Sequence, residues 1–98
     1  MIKTGIKLIA EERNEQITKH GRSVMQDCAY NKDGQLAEAA LRLIDGEPGQ
    51  SPPDGWDEKI WDKMVRKPRF ERLIIAGALL AAEVDRLIVE EARVILDE

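Results

Sequence analysis

Apolar residues recur along this chain at the three- and four-residue intervals of helices, and almost nowhere in the strict alternation of a half-buried strand. Thr4 stands where it can cap a first helix of about residues 5–19. There Ile6, Ile9, Ala10, Arg13 and Ile17 share one stripe, and Gly21 supplies the left-handed stop. Asp33 precedes a short second helix with Leu36, Ala37, Ala40, Leu41 and Ile44 at helical spacing and Gly46 beyond its end. The stretch DGEPGQSPPDG, 45–55, is too rich in proline and glycine for anything but a loop. Asp54, with Asp57 and Glu58 in the first turn, opens a third helix carrying Trp56, Ile60, Trp61, Met64 and Val65. Pro68 is tolerated in a first turn, so the last helix is predicted from about 68 to 96.

That last helix has no evident wet side over 73–82. Phe70, Ile74, Gly77, Ala81, Val84, Ile88 and Ile95 make one stripe, while Ile75, Leu79, Ala82 and Val89 make another on a different side. A helix apolar all round is buried all round, and three short helices cover only part of it, so the remainder is expected to meet a second copy of the chain. Gly77 with Ala81, and Ala78 with Ala82, permit close approach of a neighbour, whether that copy or a helix of the same chain. The expected fold is all-α: a small single-domain bundle of about four helices with a long C-terminal helix that oligomerises through it.

A chain of 98 residues buries only about 60–65% of the surface exposed when unfolded, so the core is modest. One cysteine, Cys28, makes no internal disulfide, which fits a reducing, cytoplasmic compartment. The N-terminal residues lack the apolar core of a signal peptide, and the apolar run at 73–82 is about half of the ~20 residues that span a membrane. No membrane partner is expected.

Charge narrows the choice of ligand. Lys63, Arg66, Lys67, Arg69 and Arg72 face the single acid Glu71 within residues 63–72, in a chain whose net charge is −4. Long nucleic acid is repelled by that overall sign, whereas one basic cluster beside a helix N-terminus suits a small phosphorylated ligand such as a nucleotide. Arg66, Lys67, Arg69 and Arg72 are the expected phosphate contacts, with Trp56 or Trp61 stacking on a base. These two tryptophans are five apart, so on one helix they point about 140° apart and do not share a core. The competing reading pairs the cluster with the excess carboxylates as ordinary surface ion pairs. Tyr30 is a lesser stacking candidate, His20 reads as a surface cation at a helix end, and Cys28 as a small half-buried side chain.

Glu12 and Glu15 lie one turn apart, Gln16 follows Glu12 by four, and Glu38 and Glu83 sit on later helices. Convergence of Glu12, Glu15, Glu38 and Glu83 would supply the oxygen ligands of Mg²⁺; solvated faces and pairs with Arg13, Arg42 and Arg86 are the alternative. The runs ERNEQITKHG (12–21), DGQLAEAA (33–40), GWD (55–57) and RLIIAGALLAAEVDRL (72–87) resemble, in that order, a group of small helical proteins of phages and prophages. More loosely the chain is similar to MazG-like all-α nucleoside triphosphate pyrophosphohydrolases, whose Glu-x-x-Glu and Glu-x-x-Asp pairs hold Mg²⁺. Glu12 and Glu15 match the first pair. Leu41 stands three after Glu38 where the second pair has Asp, and Glu83 and Asp85 are two apart, pointing about 200° from each other. With the basic residues intact and the metal-holding half of that motif incomplete, the first expectation is a nucleotide binder needing no cofactor, which in a phage-type protein would sequester a defence signal in the host cytoplasm. The alternatives are a divergent Mg²⁺-dependent pyrophosphohydrolase and a protein–protein adaptor working through the last helix.

Overall fold

In the computed structural model, which describes residues 2–21 and 23–97, five helices follow one another without a strand among the described residues. They are α1 (Gly5–Thr18), α2 (Val24–Tyr30), α3 (Gln35–Asp45), α4 (Glu58–Val65) and α5 (Arg69–Asp97). Three of them begin on side-chain caps that satisfy otherwise orphaned donors. Thr4 Oγ1 accepts from the Lys7 amide, Ser23 Oγ from that of Gln26, and Asp57 Oδ1 from those of Lys59 and Ile60.

The core is the middle of α5 laid against α3. Leu36, Ala39, Ala40 and Leu43 of α3 meet Ile75, Ala76, Leu79 and Ala82 of α5, and Trp61 and Met64 of α4 close one end. The alanines let the two backbones come close, and each fully buried leucine contributes about 1.5–3 kcal/mol by leaving water. α1 and α2 pack on other parts of α5. Ile9 fills the space that a Cβ on Gly77 would need, since such an atom would sit 2.6 Å from Ile9 Cδ1. That small residue thus admits a helix of its own chain.

The junction of α3, α4 and α5 is held by one cation. Arg72 donates to the Leu43 carbonyl at 2.6 Å and, through Nε, to the Lys67 carbonyl at 3.0 Å. Gly46, left-handed at φ 71°, ends α3 beneath that guanidinium, where a Cβ would lie 2.1 Å from Nη1. Arg42 and Gln50 secure the following loop, donating to the carbonyls of Ser51 and Arg42 respectively.

Several expectations need correction. α2 was not foreseen; its one fully buried residue is Asp27, so it carries no apolar stripe to read. α3 starts on Gly34 with no side-chain cap, and Asp33 instead donates its amide to Gln35 Oε1. α4 begins at Glu58 behind Asp57 rather than at Asp54, which leaves Trp56 outside the helix. On α1, Ile6 is 85% exposed and Ile17 is also exposed, while Arg13 and Gln16 face inward. On α3, Leu41 and Ile44 are exposed because the buried row runs through Leu36, Ala39, Ala40 and Leu43. α5 is most deeply buried along its Ile75–Leu79–Ala82 side; of the other expected stripe Ile74, Gly77 and Ala81 are half-buried, while Phe70, Val84, Ile88 and Ile95 are exposed. No helix among the described residues is long and apolar enough to cross a membrane.

Candidate functional site

A cleft of about 760 Å³ lies between α1, α4 and the start of α5, a volume ordinary for a small-molecule site. α1 supplies Glu11, Glu12, Glu15 and Gln16, with His20 just beyond its end; α4 and the turn after it supply Ile60, Lys63, Met64 and Lys67; α5 supplies Glu71, Ile74 and Ile75. An acidic wall thus faces two lysines across an apolar floor. On α1 the helical period accounts for the acidic side, because Glu11 and Glu15 are four apart and share one face, whereas Lys63 is on α4 and Lys67 in the turn beyond its end.

Glu12 is the electrostatically perturbed group here. Burial pushes its carboxyl above the usual range, and the Glu15 charge and a hydrogen bond to Glu15 push the same way, against weaker opposition from Gln16 and Lys67. Glu15 is held low, first by the hydrogen bond it accepts from Lys19 at 2.9 Å and then by that residue's charge. The folded state therefore holds the Glu12 proton more tightly than the unfolded chain, so this residue lowers stability as pH rises from the ordinary glutamate value of 4.5 toward its raised one. Glu12→Gln is expected to be more stable than the native chain at neutral pH, with the advantage vanishing in acid. Urea midpoints measured across that window check this, and parallel curves for the two proteins would show that Glu12 is not desolvated.

Gln16 is only 4% exposed, lines the cleft, and its Oε1 has no hydrogen-bond partner among the described residues. Sequence reasoning noted its spacing from Glu12 but gave it no role. Behind it, Arg13 is buried and reaches Asp85 at 3.4 Å through Nη2, while its Nε and Nη1 have no partner among the described residues. The i, i+3 and i, i+4 spacing of three polar residues on the inward face of α1 was the available signal.

The expected basic contacts divide. Lys67 lines the cleft and sits 3.6 Å from Glu71. Arg66 and Arg69 are exposed beside it and, like Lys63, form no ion pair with a described residue. Arg72 is half-buried and donates through Nε to the Lys67 carbonyl and through Nη1 to the Leu43 carbonyl of α3, which turns it toward the α3/α5 junction. Trp61 is not a stacking platform: it is 0% exposed and donates Nε1–H to the Gln50 carbonyl at 2.8 Å. Trp56 does share its surroundings, contrary to the helical-wheel expectation, with ring centroids 6.2 Å apart in an edge-on arrangement. Lying outside α4 frees it from the 140° separation. Trp56 Nε1–H donates to Asn31 Oδ1, and its ring lines a smaller cleft of about 210 Å³ with Tyr30 and Ile60, away from the lysines.

The expected metal ligands are also separated. Glu12 and Glu15 line the main cleft, whereas Glu38 pairs with Arg42 on α3 and Glu83 with the buried Arg86 on α5. No group of three or more His, Cys, Asp or Glu side chains is placed to hold a metal ion among the described residues. Glu12 and Glu15 alone offer two oxygen ligands, so an Mg²⁺ ion there would draw the rest of its shell from water and a phosphate. Set against known protein families, curated proteins and solved structures, the chain matches none.

Proposed function

We propose that this protein binds a small phosphorylated ligand of nucleotide size in the α1/α4/α5 cleft, without turning it over, and that it does so as an oligomer joined through α5. The observation that carries the reading is the pair Lys63 and Lys67 on one wall of a cleft whose floor is apolar and whose far wall carries hydrogen-bond acceptors. Phosphate oxygens suit the ammonium groups, with Arg66 and Arg69 adding positive potential at the same turn. A base suits the floor formed by Ile60, Met64, Ile74 and Ile75, where its N–H donors meet Glu12 and the unpartnered Gln16 Oε1. A phage-encoded binder of this kind would act in the host cytoplasm by withdrawing a nucleotide signal.

Glu12 and Glu15 in the same cleft favour one second reading, a divergent Mg²⁺-dependent pyrophosphohydrolase. A bound Mg²⁺ would supply an activated water and charge neutralisation at phosphorus; the positions of Glu38 and Glu83 weigh against it. Both readings are tested by incubating the protein with linear and cyclic nucleotides, with and without Mg²⁺, and chromatographing the free fraction and the fraction released by heat. Intact nucleotide in the heated fraction is the expected result, with retention weakened about 10- to 100-fold in the Lys63→Ala, Lys67→Ala double variant and unchanged in Glu38→Gln. Conversion of a triphosphate to monophosphate and pyrophosphate would establish the enzyme, and no retention at all would end both readings.

A further inference from the structure

We infer that two copies of the chain pair antiparallel along α5, the acidic C-terminal half of one helix lying toward the basic N-terminal turn of the other. This rests on the self-association just proposed and specifies its surface, direction and register. Leu73, Leu80, Leu87 and Val94 recur every seven residues, and Val84 and Glu91 fall between the last three at the alternating four- and three-residue steps of a two-helix seam, while Gly77, between the first two, faces Ile9 of α1. The opposite side of the same helix, Ile75 to Ala82, is the buried core of the monomer. The seam is not used there: Leu80, Val84, Leu87 and Val94 are between 42% and 61% exposed. The heptad pattern therefore has no intramolecular explanation over most of its length, and a partner helix of the same period is its natural complement.

Charge selects the occupant and its direction. Outside the ion pairs and the Arg72 bridge made within the chain, Lys63, Arg66 and Arg69 remain in residues 63–72, while Glu91 and, by sequence, Asp97 and Glu98 lie toward the other end of the helix. A parallel pair would stack each cluster on its own likeness and set Glu91 against Glu91 inside the seam, an arrangement that opposes association. An antiparallel pair with its two-fold axis near Val84 sets Leu73 against Val94 and Ile95, and Leu80 against Leu87 and Ile88. Glu91 then lies away from its own copy. The two charge clusters attract at both ends, and one patch of surface is complementary to itself, as a two-fold interface requires.

Light scattering on the full chain in the micromolar range tests association, and spin labels test direction. Labels are placed at Leu73→Cys or Val84→Cys in a Cys28→Ala background, with the mass and helicity of each labelled protein verified. At about 1.5 Å of rise per residue, the two 73 positions of an antiparallel dimer lie about 33 Å apart along the axis, and the two 84 positions about 10 Å apart across it. Leu80→Asp should weaken the dimer about 100-fold or more while keeping its helix content. A mass of one chain at every concentration overturns self-association and this inference with it. A dimer in which both label pairs are short overturns the antiparallel direction alone, and a dimer indifferent to Leu80→Asp overturns the seam.

Discussion

Arg86→Met is expected to cost the fold about 3–5 kcal/mol, the penalty of removing one partner from a buried ion pair. The Arg86 side chain is 5% exposed and that of Glu83 is 11% exposed; Nε of the arginine donates to Oε1 of the glutamate, and Nη1 donates to the more exposed Glu90. The Glu83 hydrogen bond is the largest influence raising this guanidinium above its ordinary value. Without the cation, Glu83 stays on the buried side of α5 beside Ala82 with nothing to offset its lost hydration. Against a total stability of about 5–15 kcal/mol for a typical domain, this removes a large share, and the melting temperature should fall by at least about 12 °C. The double variant Glu83→Gln, Arg86→Met is expected to recover most of the loss, since an apolar and an amide side chain need no compensating charge. Urea denaturation followed by circular dichroism measures both. A single variant within about 1 kcal/mol of the native chain would mean that water reaches the pair.

Trp61→Ala should be comparably severe, at about 3–5 kcal/mol, and for a different reason. The ring closes the end of the α3/α5 core, leans edge-on against Trp56, and donates to the carbonyl of Gln50 in the loop between α3 and α4. Truncation leaves a cavity and an unpaired carbonyl together. Trp61→Phe keeps most of the packing and is expected to lose only about 1–2 kcal/mol, chiefly the hydrogen bond. The same pair of variants separates a core tryptophan from a ligand platform: a platform residue would lose nucleotide retention with stability intact, whereas the structure calls for the opposite order.

These two sites show how the chain divides its charges. Arg86 and Arg72 are structural cations, one neutralising a buried carboxylate and the other holding three helices at a corner. Lys63, Arg66, Lys67 and Arg69 remain outside that framework, and two of them face the cleft. The basic run in the sequence thus divides in space into one scaffold cation, Arg72, and four outward ones.

The sequence by itself determined the helical class, the spans of α1 and α5 to within about a turn, the loop at 45–55, and the inward position of Arg13 on its helix. These follow from local rules of period, caps and breakers, which need no knowledge of the partner surface. It also made the basic cluster and the Glu12–Glu15 pair legible, because residues three and four apart on one helix are neighbours whatever the fold. Only the tertiary structure decided which of those charges are scaffold. Arg72 is drawn to a carbonyl 29 residues away, whereas the Glu38–Arg42 and Glu83–Arg86 pairs are local, at i, i+4 and i, i+3, and match the ion-pairing alternative legible in the sequence. Likewise, Leu36, Leu41, Leu43 and Ile44 look alike in sequence, and the angle at which α3 crosses α5 buries two of them and leaves the others exposed. Long-range packing chooses among faces that local pattern leaves equivalent, and for that reason the cleft, and the seam left open along α5, emerge only from the assembled helices.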